Sequence, residues 1–460
     1  MNDTIIALAT PQGNGAIALI RLSGKESITL VEQVFYGKKL SQANTHSVHF
    51  GTIRKNEQEI LDEVLVTIFR EPHSFTKENS IEIACHGSMY IVEQILQLLL
   101  QKGARLAKPG EFSQRAFLNG RFDLAQAEAI ADLINAETEA AHQIAIRQMR
   151  GSFSSELREL RSRLLHFVSL LELELDFGEE DVEFADRKQL LELIEGIRKH
   201  IQGLISSFRL GNVIKKGVPV AIVGKPNAGK STLLNALLGE NKAIVSPIAG
   251  TTRDVIEDTL NIKGITFRFM DTAGLRETDD LIEKIGVEKA LEKMQEAAII
   301  LYMCNGGETF DNEQESPYEA DKKAQIYQEQ FPHAKVVLVA NKIDLRFDAI
   351  LWGGKTALVA ISAKEKTNLE ELKESLYQWA TKGQDLQNSG SIISNTRHLE
   401  ALQKTTRALE NAKNNLVAGL SQEFVAMDIR EAIAHLAAIT GDISTEDILG
   451  NIFSTFCIGK

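Results

Sequence analysis

The 460-residue chain has only three cysteines, Cys85, Cys304 and Cys457. Their number is odd and their spacing wide, so the sequence offers neither a disulfide framework nor a C-x-x-C metal site. A reducing compartment is the expectation. Long apolar runs are missing too. The longest, around Ile299–Cys304 and Val336–Ala340, are as long as buried strands and far short of the ~18 residues of a spanning helix. The start, Met1-Asn2-Asp3-Thr4, puts an acid where a signal or transit peptide puts basic residues. Nor is there an excess of positive charge: 51 Lys plus Arg stand against 63 Asp plus Glu, a net charge of −12. That excludes a uniformly basic coat, so any contact with RNA or DNA must come from a local patch. We therefore expect a cytoplasmic protein with no membrane contact. The chain is 43% hydrophobic and 25% charged, ordinary for a globular protein, and its length suggests about three domains.

Residues 1–118 read as mixed α and β. The apolar runs Ile5–Ala9 and Ala16–Leu22 flank the turn cluster Pro11-Gln12-Gly13-Asn14-Gly15. Glu63–Phe69 and Ser80–Ala84 alternate like strands, and Ile91–Leu100 has helical spacing. From Asp123, with Gln126 three residues on, the pattern is a capping box opening a helical stretch, which fills 119–215. The acidic run Asp176–Asp186 has no spacing that focuses carboxylates on a metal and reads as a solvated loop. At Val218 strand–loop–helix alternation begins and lasts through 216–382; helical sequence then returns over 383–460, with a capped start expected at Ser444. The polar stretch Asn305–Pro332 reads as a long loop. The expected architecture is thus an α+β N-terminal domain followed by a helical domain interrupted by an inserted α/β domain, since a domain with neighbouring termini inserts without disturbing its host.

The inserted domain carries ordered phosphate and base motifs. The strand Val220–Val223 runs into Gly224-Lys225-Pro226-Asn227-Ala228-Gly229-Lys230-Ser231 and the helical Thr232–Leu238. This is GxxxxGK[ST] in the strand-to-helix setting it requires: backbone N–H groups close around phosphates, Lys230 reaches the β- and γ-phosphates, and Ser231 binds Mg²⁺. Asp271-Thr272-Ala273-Gly274 follows another strand, so Asp271 can hold the metal and the Gly274 amide the γ-phosphate. Asn341-Lys342-Ile343-Asp344 follows Val336–Ala340; the Asp344 carboxylate can accept both the ring N–H and the amine of guanine, and Ser362-Ala363-Lys364 completes the base pocket. Gly250-Thr251-Thr252-Arg253-Asp254 supplies a threonine hydroxyl for Mg²⁺. These boxes specify a Ras-like P-loop domain that binds GTP. The position that holds a water-orienting Gln in Ras-like proteins is Leu275, and no arginine finger, worth ~10³–10⁵ in rate, can be assigned. The Asn227 side chain either shapes the loop or helps hold a K⁺ that supplies the missing positive charge.

With these boxes in place, the end Phe456-Cys457-Ile458-Gly459-Lys460, the start Thr4-Ile5-Ile6-Ala7 and the segment Asn119-Gly120-Arg121-Phe122-Asp123-Leu124-Ala125-Gln126-Ala127-Glu128 resemble the tRNA-modification GTPase family MnmE (TrmE) over essentially the whole chain. The resemblance implies an N-terminal tetrahydrofolate-binding domain that also makes a homodimer. It further implies an FAD-dependent partner of the MnmG (GidA) type in a heterotetramer, and tRNA as substrate. The two proteins would build an aminomethyl-type (carboxymethylaminomethyl) group at the 5-position of the wobble uridine, with 5-formyl- or methylene-tetrahydrofolate as the one-carbon form. GTP hydrolysis would be K⁺-stimulated.

Residue by residue, the resemblance places Asn227, Ser246, Ile248 and Thr251 on K⁺, within a loop Ser246-Pro247-Ile248-Ala249-Gly250-Thr251-Thr252 that also touches GTP. Ser231 and Thr252 fall on Mg²⁺, and Glu283 stands as the water-orienting acid. Arg21, Glu82, Arg121 and Lys460 fall on folate, and Cys457 on the modification chemistry. Lys77 stands where the family often has Gly, and Ser246 where it often has Thr. Cys85, Cys304 and His86 read as structural. Arg147, Arg150, Arg158, Arg161 and Arg163 form either a tRNA patch or a solvated face paired with Glu156 and Glu159. An alternative function is a ribosome-assembly switch GTPase binding rRNA. It shares the boxes but has no evident use for the first 120 residues or for Cys457–Lys460.

Overall fold

The structure, a computed structural model, describes residues 3–176, 186–239, 258–271, 291–306, 316–345, 354–382, 391–443, 446–454, 456 and 459. The chain forms two compact units, one of 1–135, 145–198 and 401–460, the other of 136–144 and 199–400.

In the first unit seven strands form a sheet in the order β3-β4-β5-β6-β2-β1-β7. The strands are β1 (Ile5–Leu8), β2 (Ile17–Ser23), β3 (Phe35–Gly37), β4 (Ser47–Arg54), β5 (Ile60–Phe69), β6 (Ser80–His86) and β7 (Arg105–Leu106). All pairs are antiparallel except β1 with β7. Alternation decides the faces. Val64, Val66 and Ile68 of β5 point inward with Ile81 and Ile83 of β6 and Ile20 and Leu22 of β2, beneath Val92, Ile95 and Leu99 of helix Met89–Gln101. On the other face Phe50 lies opposite Leu65, and both are exposed, as are Ile17 and Val48.

A buried charge cluster ties the N-terminus to this sheet. Arg115, 1% exposed, donates to the Asp3 backbone oxygen at 2.8 Å, to Asp3 Oδ1 at 2.8 Å, to Glu111 Oε1 at 3.1 Å and to Glu78 Oε2 at 3.3 Å. Arg105 reaches Glu111 Oε1 at 2.6 Å. A guanidinium this deep is tolerated because three carboxylates and a carbonyl replace its water.

The helical part begins as the sequence suggested. Asp123 caps helix Leu124–Ile134 in a full capping box with Gln126. Its carboxylate also accepts from Ser154 Oγ at 2.9 Å and Arg158 at 2.5 Å. Phe153, Leu157, Leu160, Leu164, Val168 and Leu171 recur every three or four residues along helix Ser152–Asp176 and are all buried. Helix Gln422–Thr440 offers Val425, Ile429, Ala432 and Leu436 in the same way. Of the arginines read as either a tRNA patch or a solvated face, Arg158 pairs with Asp123 and Arg161 with Asp442; the capping aspartate is nearer in space than in sequence.

The second unit holds a six-stranded sheet in the order β13-β12-β11-β8-β10-β9, with β8 (Val218–Gly224), β9 (Asp258–Ile262), β10 (Ile265–Asp271), β11 (Ile299–Asn305), β12 (Lys335–Asn341) and β13 (Ala357–Ala360). Only the β9–β10 hairpin is antiparallel. The strands β8, β11 and β12 read as continuous apolar runs because helices cover both faces. Leu233 and Leu237 with Leu372 and Leu376 pack on one side, Ala320 and Ala324 on the other. Those alanines belong to helix Pro317–Gln330, which corrects the expectation of a loop over Asn305–Pro332. Ser316 and Glu319 form its capping box and Pro317 opens its first turn, a start signal masked by the stretch's polar composition. The start expected at Ser444 lies outside the described residues; helix Glu446–Ser454 follows it. Among the described residues no helix is long and apolar enough to cross a membrane.

Burial alone would push the Glu111 carboxyl up, but hydrogen bonds from Arg105, the Lys108 N–H and Arg115 outweigh it and hold it below the ordinary value. A lowered carboxyl stabilises the fold above its unfolded value of about 4.3, and that contribution disappears as the pH falls towards the folded-state value. Denaturation midpoints of the wild type should therefore fall below about pH 4.3. Glu111→Gln should be less stable at pH 7 and show a flatter acid limb. An unchanged acid limb would contradict this assignment.

Candidate functional site

The phosphate loop leaves the carboxyl end of β8, where the sheet's neighbours diverge to β11 on one side and β10 on the other; ligands of open α/β sheets gather there. Helix Lys230–Gly239 starts directly behind the loop, with its unpaired N–H groups and positive end towards it. Lys230 Nζ donates to the Gly224 and Lys225 carbonyls at 2.7 and 2.9 Å, acceptors with which a phosphate oxygen would compete for the ammonium. Ser231 and Thr232 are exposed on the helix's first turn. Asn227 has a left-handed backbone, φ +63°, with its side chain exposed. Asn tolerates that conformation, so the residue shapes the loop, and among the described residues its amide bonds to none.

The base-binding loops are locked to the phosphate loop by one side chain. Asn341, 2% exposed, donates through Nδ2 to the Ala228 carbonyl at 2.9 Å and accepts through Oδ1 from the Ala363 N–H at 2.9 Å. Gly229 makes room for it: a Cβ there would meet Asn341 Nδ2 at 2.2 Å, and φ is +94°. Ser362 Oγ donates to Asp344 Oδ1 at 2.6 Å and accepts from the Glu365 N–H at 3.2 Å. The Ser362 hydrogen bond holds the Asp344 carboxyl below its ordinary value; the ionised carboxylate is the state that accepts two N–H groups. Lys342 is half-buried at φ +67°, and Lys364 is exposed. The bridging of Asn341 and the Ser362–Asp344 bond connect residues 18 to 113 positions apart; spacing gave no signal for either.

A second polar site lies on the first unit's sheet. Arg21 and Glu82 are direct cross-strand partners of β2 and β6. Arg21 donates to Glu82 Oε1 through Nε at 2.9 Å and through an Nη at 2.7 Å. The guanidinium lies 5.7 Å from the Phe75 ring centroid and 5.9 Å from that of Phe112. Both bonds end on Oε1, and among the described residues Oε2 accepts none. A half-exposed carboxylate with an oxygen to spare, near two aromatic rings, suits a flat heterocycle with an amine and N–H edge such as a pterin. Phe75 and Phe112 had no sequence signal. Arg121 is exposed just past helix Glu111–Leu118, and no hydrogen bond joins it to Arg21 or Glu82. Lys77, with φ +58°, keeps the left-handed turn that Gly commonly serves and donates to the Gly120 carbonyl at 2.8 Å. Asn119 donates to the Thr76 carbonyl at 2.7 Å. Asn119, Gly120 and Asp123 are thus joinery: they fasten the sheet to the first long helices.

Comparison with known proteins agrees over the full length. Residues 4–121 match the family model described as the GTP-binding protein TrmE N-terminus, and residues 124–457 match the MnmE helical domain. A tRNA modification GTPase MnmE of Cytophaga hutchinsonii is 54% identical over 460 residues, covering 100% of this chain and 98% of its own. The Flavobacterium johnsoniae protein of that name is 50% identical over 468 residues, covering 100% and 99%. The chain belongs to the MnmE family of tRNA modification GTPases.

Of the residues that the MnmE resemblance singles out, Ser246, Pro247, Ile248, Ala249, Gly250, Thr251, Thr252, Thr272, Ala273, Gly274, Glu283, Cys457 and Lys460 lie outside the described residues, as does the Asp271 side chain. Asn227, Ala228, Gly229, Lys230, Ser231 and Thr232 share one loop and helix start, and Asn341, Lys342, Asp344, Ser362, Ala363 and Lys364 flank it through Asn341. Cys85 and Cys304 are buried in strands. Asp62 accepts from His86 through both oxygens, Oδ1 from the ring Nδ1 at 2.7 Å and Oδ2 from the backbone N–H at 2.8 Å, a pair at the end of β6.

Asp344→Asn swaps one acceptor for a donor, so it should weaken GTP roughly 10–100-fold, the worth of one charged hydrogen bond. Binding of xanthosine triphosphate, which presents an oxygen where guanine has its amine, should improve. Isothermal titration with both nucleotides checks this; unchanged preference for GTP would remove Asp344 from base recognition.

Proposed function

We propose that this chain is a K⁺-stimulated GTPase which, with an FAD-dependent partner of the MnmG type, installs an aminomethyl-type (carboxymethylaminomethyl) group at the 5-position of the tRNA wobble uridine, using a tetrahydrofolate one-carbon donor. One observation carries the reading: a guanine-selective nucleotide cradle and a separate carboxylate–guanidinium site flanked by rings share one chain, each in its own unit. A ribosome-assembly switch needs only the first. The working parts are assigned as residues 1–118 for folate binding and dimerisation, 119–215 and 383–460 for the helical domain, and 216–382 for GTP.

In hydrolysis, water attacks the γ-phosphorus and the β–γ bridging bond breaks. The phosphate loop amides and Lys230 hold the β- and γ-phosphates. Ser231 and Thr252, backed by Asp271, would hold Mg²⁺, and Glu283 would orient the water in place of the Gln that Leu275 cannot replace. Asn227, with Ser246, Ile248 and Thr251, would hold K⁺, which supplies charge that an arginine finger otherwise brings. Glu82, Arg21, Arg121 and Lys460 would hold the folate, and Cys457 would act on the modification side. The exposed Ile17, Val48, Phe50 and Leu65 make one apolar sheet face, which supports a homodimer through the N-terminal domain; with two partner chains this gives a heterotetramer. A cytoplasmic location follows from the substrate.

Mass spectrometry of tRNA nucleosides tests the reading. Deletion of the gene should abolish the 5-substituted wobble uridines, and wild type but not Cys457→Ser should restore them. An unchanged profile would move the assignment to the assembly switch. In the same preparations GTP turnover should be faster in KCl than in NaCl at matched ionic strength, and Asn227→Ala should erase the difference. Equal rates in the wild type would sink the K⁺ assignment.

A further inference from the structure

Residues 70–79 join β5 to β6 and carry the Phe75 ring to 5.7 Å from the Arg21 guanidinium. A phenyl ring has no polar atom to fix it there, so its neighbours in the chain must. Along β2 and β6 the cross-strand pair Arg21–Glu82 is followed, on the same face, by the pair Ser23–Ser80. Thr76, 1% exposed, closes over that second pair. Its Oγ1 lies 2.6 Å from Ser23 Oγ and 3.3 Å from Ser80 Oγ, and all three hydroxyls are buried. Proton count gives the chain a direction. Ser23 has one hydroxyl hydrogen and donates it to Glu78 Oε2 at 2.7 Å, so Thr76 is the donor to Ser23. Glu78 in turn accepts from Arg115 Nη1 at 3.3 Å and gives its own N–H to Thr76 Oγ1 at 3.3 Å.

The loop's other side is tied through the Thr76 carbonyl, which accepts from Asn119 Nδ2 at 2.7 Å. One residue thus bonds the sheet through its hydroxyl and the end of helix Glu111–Leu118 through its carbonyl. Phe75, the next residue back, is held in reach of both the Arg21 guanidinium and the Phe122 ring, 5.9 Å away between centroids. We propose that Thr76, seated on Ser23, is a positioning residue for the candidate folate site. Its two hydrogen bonds set the place of the Phe75 ring, the wall on which a flat heterocycle stacks. Remove the hydroxyl and the loop loses its buried partner on the sheet side, so ring and guanidinium no longer share a fixed geometry. This rests on the reading above in one respect, that the Arg21–Glu82 site takes a folate.

Titration of 5-formyltetrahydrofolate into full-length variants tests this. Thr76→Val keeps the side chain's shape and removes the hydroxyl; it should weaken binding roughly tenfold, the scale of one misplaced aromatic contact. Thr76→Ser, which keeps the hydroxyl, should bind as the wild type does. The deciding measurement is a double-mutant cycle with Phe75→Leu. Thr76→Val should cost no further affinity once the ring is gone, because Thr76 acts through it. Equal affinity of Thr76→Val and wild type overturns the proposal. So does an equal loss from Thr76→Val in the wild-type and Phe75→Leu backgrounds, since a merely structural role does not depend on the ring. Where Thr76→Val fails to fold, Ser23→Ala removes the same bond from the sheet side and carries the same expectations through the same cycle. A wild type that binds no folate overturns the folate reading itself, and the positioning role with it.

Discussion

The Arg21–Glu82 pair is the interaction on which the proposed folate site of the first unit depends. It joins β2 to β6 where a cross-strand pair of opposite charges is most favourable. It leaves one carboxylate oxygen uncommitted and turns the guanidinium so that its last edge meets the Gly459 carbonyl. Neither group is deeply buried, with side chains about one-fifth exposed, so the pair alone adds little stability. Its value is geometric: it fixes a charged surface beside Phe75 and Phe112 and in hydrogen-bond reach of the Gly459 carbonyl.

The second unit applies the same economy to a nucleotide. Asn341 does with two hydrogen bonds what would otherwise need two loops to be rigid independently, because its carbonyl and amide fix the base loop and the phosphate loop to one another. Its place requires Gly229, and the backbone there, at φ +94°, favours glycine as well. The Ser362 hydroxyl holds the Asp344 carboxylate in a fixed orientation. Strand order explains why these pieces meet, since β8, β11 and β12 are parallel neighbours and deliver their carboxyl ends to one edge.

Much of this was legible in the sequence because phosphate and guanine recognition need particular backbones in a particular order. The capping box at Asp123 was readable for a similar reason: its partners are three residues apart. What escaped was through-space chemistry. Phe75 and Phe112 meet Arg21 only after the sheet closes, and the Arg115 cluster joins residues 3, 78, 111 and 115. Helix Pro317–Gln330 escaped because a polar surface helix with a narrow alanine stripe resembles a loop in composition, although its capping box was present. The specific segment around Asn119–Gln126 identified the family well, yet Asn119, Asp123 and Gln126 in it bind the protein to itself.

Direct titration of 5-formyltetrahydrofolate into the full-length protein tests the central claim, that the Arg21–Glu82 site takes the folate while the other unit takes GTP. The account predicts saturable binding to the wild type, loss of that binding in Glu82→Gln, and undiminished GTP binding in the same variant. Equal folate affinity in Glu82→Gln and wild type would contradict it.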